Sequence, residues 1–202
     1  DKDRVSELGN YGQRNQPGSS LKPIIAYGAA FEFLDYSTAH IVHDVPYVEG
    51  DWAPNNFNMS FNGDTTIEDS LFNSWNLAAI QTLKEVVTGK DCNGRDMGKG
   101  VGIEKIKEFI DAFGFDTYNE DFNLGYAIGA WQQGVTPEEE AGAYAAIANG
   151  GIYIEPHTVK KIILTDTGEE IDFDKMYEEE KVRACSEETA FMIRSVMTDY
   201  VR

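Results

Sequence analysis

The stretch RNQPGSSLKPIIAYGAAFE, residues 14–32, sets a Pro17-Gly18 turn directly before two serines, a lysine and a second proline. A helix that starts at Ser19 or Ser20 puts Pro23 in or near its first turn. A missing N–H costs little there, because the first amides of a helix have no partner within it. Pro23 therefore marks where the helix begins, and Lys22 falls one turn from Ser19 on the same face. Two readings stay open on these residues alone. Serine ahead of a helix is ordinary capping, the commoner use. A serine three residues before a lysine is also a nucleophile beside its base, provided burial lowers the lysine pKa. The positive helix end would favour both the neutral lysine and the oxyanion formed on attack.

The rest of the chain narrows the chemistry. Its 202 residues are 42% hydrophobic and 12% aromatic, enough to build a core. With 17 basic against 35 acidic residues the net charge is −18, which repels nucleic acid and anionic headgroups. Nucleic acid is therefore not an expected partner. Cys92 and Cys185 stand far apart with no zinc-type spacing, and their pairing is left open. His40 and His43 read as a loop or surface pair, not a metal site. No metal and no cofactor are expected. No apolar run approaches membrane-spanning length.

Helix signals are clear along the chain. Thr136-Pro137-Glu138-Glu139 reads as a capping box with proline at the first helical position, and the helix stops at Asn149-Gly150-Gly151. Its alanines and single glycine predict a buried helix. Thr65-Thr66-Ile67-Glu68 reads as a second capping box for a short helix ending near Phe72. Residues 77–87 read as another helix. GIEKIKEFIDAFG carries Ile103, Ile106, Ile110 and Phe113 on one stripe, and SEETAFMIRSVM is a last amphipathic helix with Ser186 as N-cap. Strands are scarce: residues 162–164 and 171–173 read as a hairpin around Asp166-Thr167-Gly168. Residues 37–64 and 88–100 read as loops.

A second feature sits between two helical stretches: Ser74-Trp75-Asn76, in DSLFNSWNLAAIQTL. A connector there can aim Ser74 and Asn76 into a cleft while its flanking helices pack. Ser60-Phe61-Asn62 has the same spacing, but Gly63 follows it in a turn-rich stretch, so it reads as an Asn-Gly turn.

Ser-x-x-Lys followed by Ser-x-Asn resembles the signature of penicillin-binding proteins and serine β-lactamases. RNQPGSSLKPIIAYGAAFE, TTIEDSLFNSWNLAAI and LGYAIGAWQQGVTPEEEAGAYAAIANGGIYIEPHTVKKI are more specifically similar, in family order, to the transpeptidase domain of bifunctional (class A) penicillin-binding proteins. The resemblance implies an α/β fold of helices around an antiparallel sheet. It implies that Ser19 is the acylated nucleophile and Lys22 its proton acceptor. Ser74 would relay a proton to the departing amine, Asn76 would hold Lys22 and the substrate amide, and Trp75 would bind substrate. The Ser19 N–H would supply half of an oxyanion hole. The implied reaction is peptidoglycan crosslinking: attack on a D-Ala-D-Ala stem peptide, loss of D-Ala, and transfer to an acceptor amine. β-Lactam antibiotics would be trapped on Ser19. Trp75 stands where class A β-lactamases carry aspartate, which argues against the β-lactamase and carboxypeptidase members of the fold. Intact Ser19, Lys22, Ser74 and Asn76 argue against a non-catalytic module.

The family's third motif, Lys-Thr-Gly or Lys-Ser-Gly, is absent. Thr88-Gly89-Lys90 has the wrong order and Thr167-Gly168 lacks the lysine. Residues 1–202 are thus expected to be a mostly helical internal piece of the domain, with the main sheet and third motif supplied from outside this chain. A glycosyltransferase domain and a membrane anchor, implied by the resemblance, would lie elsewhere in the full-length protein, at the outer face of a bacterial cell membrane.

Overall fold

The computed structural model of the chain describes residues 12–116 and 121–200. The run that follows Pro17 is one continuous helix, α1, that changes pitch twice. It opens as a 3-10 turn over Gly18–Leu21, passes through a π-helical stretch over Lys22–Gly28 and ends as an α-helix over Ala29–Leu34. Pro23 explains the opening. In an α-turn its N–H would bond to the Ser19 carbonyl, but proline has none. The Lys22 N–H takes that carbonyl instead, closing the tighter 3-10 ring. The expected helix start is thus present, but Pro23 lies at the second position of the π stretch, after a 3-10 first turn. Every residue from 21 to 30 is buried, so α1 is a core helix as well as the carrier of Ser19.

Strands β1 (Ile41–Asp44) and β2 (Gly63–Thr66) pair antiparallel, with Ile41 opposite Thr66 and Asp44 opposite Gly63. Helix α2 (Ile67–Phe72) follows at once, then α3 (Asn76–Thr88) and α4 (Gly102–Ala112). A 3-10 turn over Leu124–Ile128 precedes α5 (Pro137–Ala148). The last part holds β3 (Ile152–Tyr153), the hairpin β4 (Lys161–Ile163) and β5 (Glu170–Asp172), α6 (Phe173–Glu179), β6 (Val182–Arg183) and α7 (Glu187–Tyr200). Among the described residues the strands form three separate two-stranded sheets, β1-β2, β3-β6 and β4-β5.

Helix α3 is the centre. Leu77, Ala78, Ala79, Ile80, Leu83 and Val86 are buried together with Gln81, Thr82 and Glu85, so almost its whole circumference is covered. It packs on α1, β1, α4 and the 3-10 turn. Buried Leu and Ile side chains such as Ile24, Ile25, Leu77, Ile80 and Leu83 each contribute roughly 1.5–3 kcal/mol. Cys92 is half-buried and Cys185 buried, and both are free thiols.

Several local expectations are corrected. The α2 N-cap is Thr66, whose hydroxyl accepts the Asp69 N–H; Thr65 is an inward-facing residue of β2, 8% exposed. On α4 the buried stripe is Ile106, Phe109, Ile110 and then Phe113, while Ile103 in the first turn is 43% exposed. Helix α5 buries one face, Gly142, Ala143, Ala146 and Ile147, and exposes the other. Its capping box is present with both bonds, and the Ser186 cap stands where expected; the β4-β5 hairpin forms one residue earlier on each strand than expected, with Phe173 opening α6. The stretch 37–64 is not all loop, since it contains β1. That strand pairs with a partner some twenty residues away, and only Val42 of its apolar residues faces the core, so alternation alone is too short to reveal it.

Candidate active site

Ser19 stands exposed on the first turn of α1. A cavity of about 330 Å³ opens beside it, lined also by Ser20, Pro23, Leu71, Phe72, Ser74, Val196 and Met197. Residues from the start of α1, the end of α2, the connector before α3 and the last helix thus meet at one opening.

Lys22, next in α1 after the turn that carries Ser19, is fully buried. Its Nζ donates to the Ser74 carbonyl at 2.5 Å, to Ser74 Oγ at 3.0 Å and to Asn76 Oδ1 at 2.6 Å. Three acceptors match the three protons of an ammonium. Burial pushes the Lys22 pKa down from 10.5 to about 8, with the Asp44 charge opposing the fall. A base of that strength releases and takes a proton near neutral pH far more readily than a surface lysine.

The connector is shaped for this contact. Ser74 has φ 55°, the left-handed region that costs a non-glycine residue about 1–3 kcal/mol. The Ser74 N–H donates to Leu71 O and the Trp75 N–H to Ser70 O, which close the turn after α2. The left-handed residue reverses the chain so that both oxygens of Ser74 reach Lys22. Trp75 is half-buried and packs against the core, outside the residues that line the cavity. The Asn76 amide is used at both ends: Oδ1 on Lys22, and Nδ2 donating to Asn55 O at 2.8 Å.

The first turn of α1 is held from the far side. The Asn15 and Val135 backbones exchange hydrogen bonds at 3.0 and 2.8 Å, and Gly18 N–H donates to Gly129 O. Gly129 has φ 69°, and a Cβ there would stand 2.0 Å from the Gly18 carbonyl oxygen, so only glycine permits this approach. Arg14 donates to Gly134 O and, through its Nη1, to Glu139 Oε1 at 2.8 Å. The Tyr144 hydroxyl donates to Ser20 O. Glu139 therefore serves both its helix cap and Arg14. The two blocks read separately in the sequence, RNQPGSS and GVTPEE, are one contact surface.

The structure brings Ser19, Lys22, Ser74 and Asn76 together. Neither near-match to a third motif joins them: Thr88 and Gly89 end α3, and Thr167-Gly168 sit in the exposed β4-β5 turn. Asp44 and Asn56, both buried, lie behind the site and were not singled out from the sequence. Asp44 faces inward on β1 with Val42, two residues before it, but the strand is too short for this to show in the sequence. Asn56 has no sequence signal either, as nothing in WAPNNFN distinguishes it from Asn55.

Over 187 residues the chain is 33% identical to penicillin-binding protein 1A of Streptococcus oralis, covering 89% of this chain and 26% of that protein. It is 30% identical to penicillin-binding protein 1F of Bacillus subtilis, covering 93% of this chain and 23% of that protein. The chain thus spans about a quarter of the length of these curated relatives. Among solved structures, penicillin-binding protein 1A from Haemophilus influenzae superposes with a TM-score of 0.71 at 25% identity, covering 97% of this chain and 31% of that one. PonA1 from Mycobacterium tuberculosis, solved in complex with penicillin V, has the same fold with a TM-score of 0.71 at 19% identity, covering 93% of this chain and 48% of that one. Residues 3–202 match the penicillin binding protein transpeptidase domain. The chain belongs to that family.

Proposed function

We propose that this chain carries the acyl-transfer centre of a peptidoglycan D,D-transpeptidase. One observation carries the reading: a buried, pKa-lowered Lys22 held by Asn76 and by Ser74, which lines the same cavity as the exposed Ser19. Neutral Lys22 accepts the Ser19 proton as Oγ attacks the penultimate D-Ala carbonyl of a stem peptide. The start of α1 directs its positive end at the developing oxyanion, to which the Ser19 N–H donates. Ser74 passes a proton to the departing D-Ala amine. An acceptor amine from a neighbouring strand then attacks the acyl-enzyme, its proton returns to Ser19 Oγ as the ester bond breaks, and the crosslink is released with Ser19 restored. Trp75 braces the connector from the core side. A β-lactam enters by the same attack and stays as an acyl adduct on Ser19, in keeping with the name its relatives carry.

Residues 1–202 make part of this domain, and the full site includes segments outside the chain. The full-length protein is proposed to act at the outer face of a bacterial cell membrane through an anchor and a glycosyltransferase domain beyond these residues. Intact-mass analysis of the full-length protein after penicillin tests the reading. The native protein is expected to gain one penicillin mass and Ser19→Ala none. No adduct on the native protein, or an adduct that survives in Ser19→Ala, overturns it.

A further inference from the structure

Asp44 is a fully buried carboxylate that acyl transfer does not use. Asn56 Nδ2 lies 2.8 Å from each of its oxygens, and Asn62 donates to it from the backbone N–H at 2.9 Å and from Nδ2 at 2.6 Å. A carboxylate only accepts. It therefore favours one of the two orientations open to the Asn56 amide, with Nδ2 towards Asp44 and Oδ1 away from it, and Ser60 O, which accepts from Nδ2 at 2.9 Å, favours the same one.

The other end of that amide meets the active site. Asn56 Oδ1 accepts the Asn76 N–H at 2.7 Å and the Leu77 N–H at 3.3 Å. These are the first two amides of α3, which have no acceptor within the helix. Residue 75, the local N-cap, is tryptophan and makes no side-chain cap. Asn56 thus caps α3 from twenty residues upstream, and it is 2% exposed.

We propose that Asp44 and Asn56 are a positioning pair for the acyl-transfer site, with Asp44 orienting Asn56 and Asn56 pinning the start of α3 so that Asn76 Oδ1 and the Ser74 carbonyl meet Lys22 Nζ. The consequence for turnover rests on the reading of Ser19 as nucleophile; the consequence for the α3 amides does not.

The experiment has two arms, both on the full chain that carries these residues. The first follows amide hydrogen exchange at Asn76 and Leu77 without ligand. The second follows the rate of acylation by a fluorescent penicillin on the alkaline plateau, where Lys22 is neutral in every variant, with Ser19→Ala as blank. Asn56→Ala is expected to speed exchange at those two amides and to slow acylation, each by at least about tenfold, the factor a lost buried hydrogen bond produces. The rest of α3 keeps its protection. Asp44→Asn alone leaves Ser60 O as the one obligate acceptor on Asn56 Nδ2, and is expected to give a change of the same direction and smaller size. The exchanged pair, Asp44→Asn with Asn56→Asp, restores one carboxylate and one amide. The introduced carboxylate accepts from α3 and from the introduced amide, whose oxygen accepts from Asn62. It is expected to recover part of the acylation rate and of the local protection, because the introduced carboxylate still faces Ser60 O with no proton between them. A merely structural role predicts a lower unfolding midpoint and faster exchange throughout the core, with no recovery in the exchanged pair. Unchanged exchange at Asn76 and Leu77 in Asn56→Ala, or an exchanged pair no better than its single variants, overturns the proposal. A native protein that gains no penicillin defeats the reading of Ser19, while the exchange arm still decides the pair.

Discussion

Two triplets of this chain read alike and do opposite work. Ser60-Phe61-Asn62 and Ser74-Trp75-Asn76 share the pattern serine, aromatic, asparagine, and both asparagines end in the same buried polar network. Asn76 turns its oxygen to the Lys22 ammonium, and Asn62 turns its nitrogens to the Asp44 carboxylate. Ser74 offers Lys22 both of its oxygens, whereas Ser60 contributes its carbonyl to Asn56. Ser74 stands at positive φ and Ser60 does not. The difference teaches that an asparagine takes its role from the charge it is brought against, because its amide can present either end. Asn56 joins the halves, accepting on the cation's side and donating on the carboxylate's.

The sharpest way to break this comparison is to remove each asparagine. Asn76→Ala takes an acceptor from a buried ammonium, and penicillin acylation is expected to fall by about 10²-fold or more, in the range for groups that assist proton transfer. Asn62→Ala takes one donor from a buried carboxylate and is expected to cost about 1–3 kcal/mol of stability with a much smaller loss of acylation. Denaturant unfolding and stopped-flow acylation measure the two. Equal losses of acylation from both variants would make the triplets equivalent after all.

The next effect is in pH. Burial lowers the Lys22 pKa from 10.5 to about 8, so between those values the unfolded chain binds the extra proton and the native state does not. Stability contributed by this group therefore rises with pH from about 8 to 10.5 and is lost as pH falls through about 8. The acylation rate is expected to climb with pH as neutral Lys22 accumulates, with its midpoint near 8. Ser74 and Asn76 facing Lys22 are neutral, and Asp44 on β1 is the charge that holds its proton on. Asp44→Asn is expected to move the midpoint to lower pH. A midpoint that stays in place or moves upward contradicts the coupling.

The smallest effect isolates backbone strain. Ser74→Gly and Ser74→Ala both lose the hydroxyl, but only glycine accepts φ 55° freely. The glycine variant is expected to be the more stable by about 1 kcal/mol. At Ser60, outside the left-handed region, alanine is expected to be the more stable of the two substitutions. Thermal unfolding of the four variants reads this directly, and the same sign at both positions would show that Ser74 carries no strain.

Much of the site was legible because its pieces are local. Ser19, Lys22 and Pro23 lie within one helical turn, and proline, caps and glycine stops act on nearest neighbours in the chain. The same holds for Thr136 with Glu139 and for the Ser186 cap. What was misread depends on neighbours distant in sequence. Asn62 resembles a turn residue until a buried aspartate stands beside it. β1 resembles loop until β2 pairs with it. Ile103 matches the apolar period of α4, yet the core does not extend to its turn.

The sequence by itself pointed to the family, marked the start of α1 and singled out Ser19, Lys22, Ser74 and Asn76. The helix start follows from the missing N–H of one proline, and the rest from the resemblance of three ordered blocks to known transpeptidase domains. The tertiary structure alone decided the 3-10 and π geometry of α1, the left-handed Ser74, the joining of residues 14–20 to 129–144 and the Asp44-Asn56 cap on α3. Each of these is a hydrogen bond or close approach between residues far apart in the chain. In such contacts partner and direction are fixed by burial, where an unpaired polar group is costly, and no local pattern of side chains records which partner that will be.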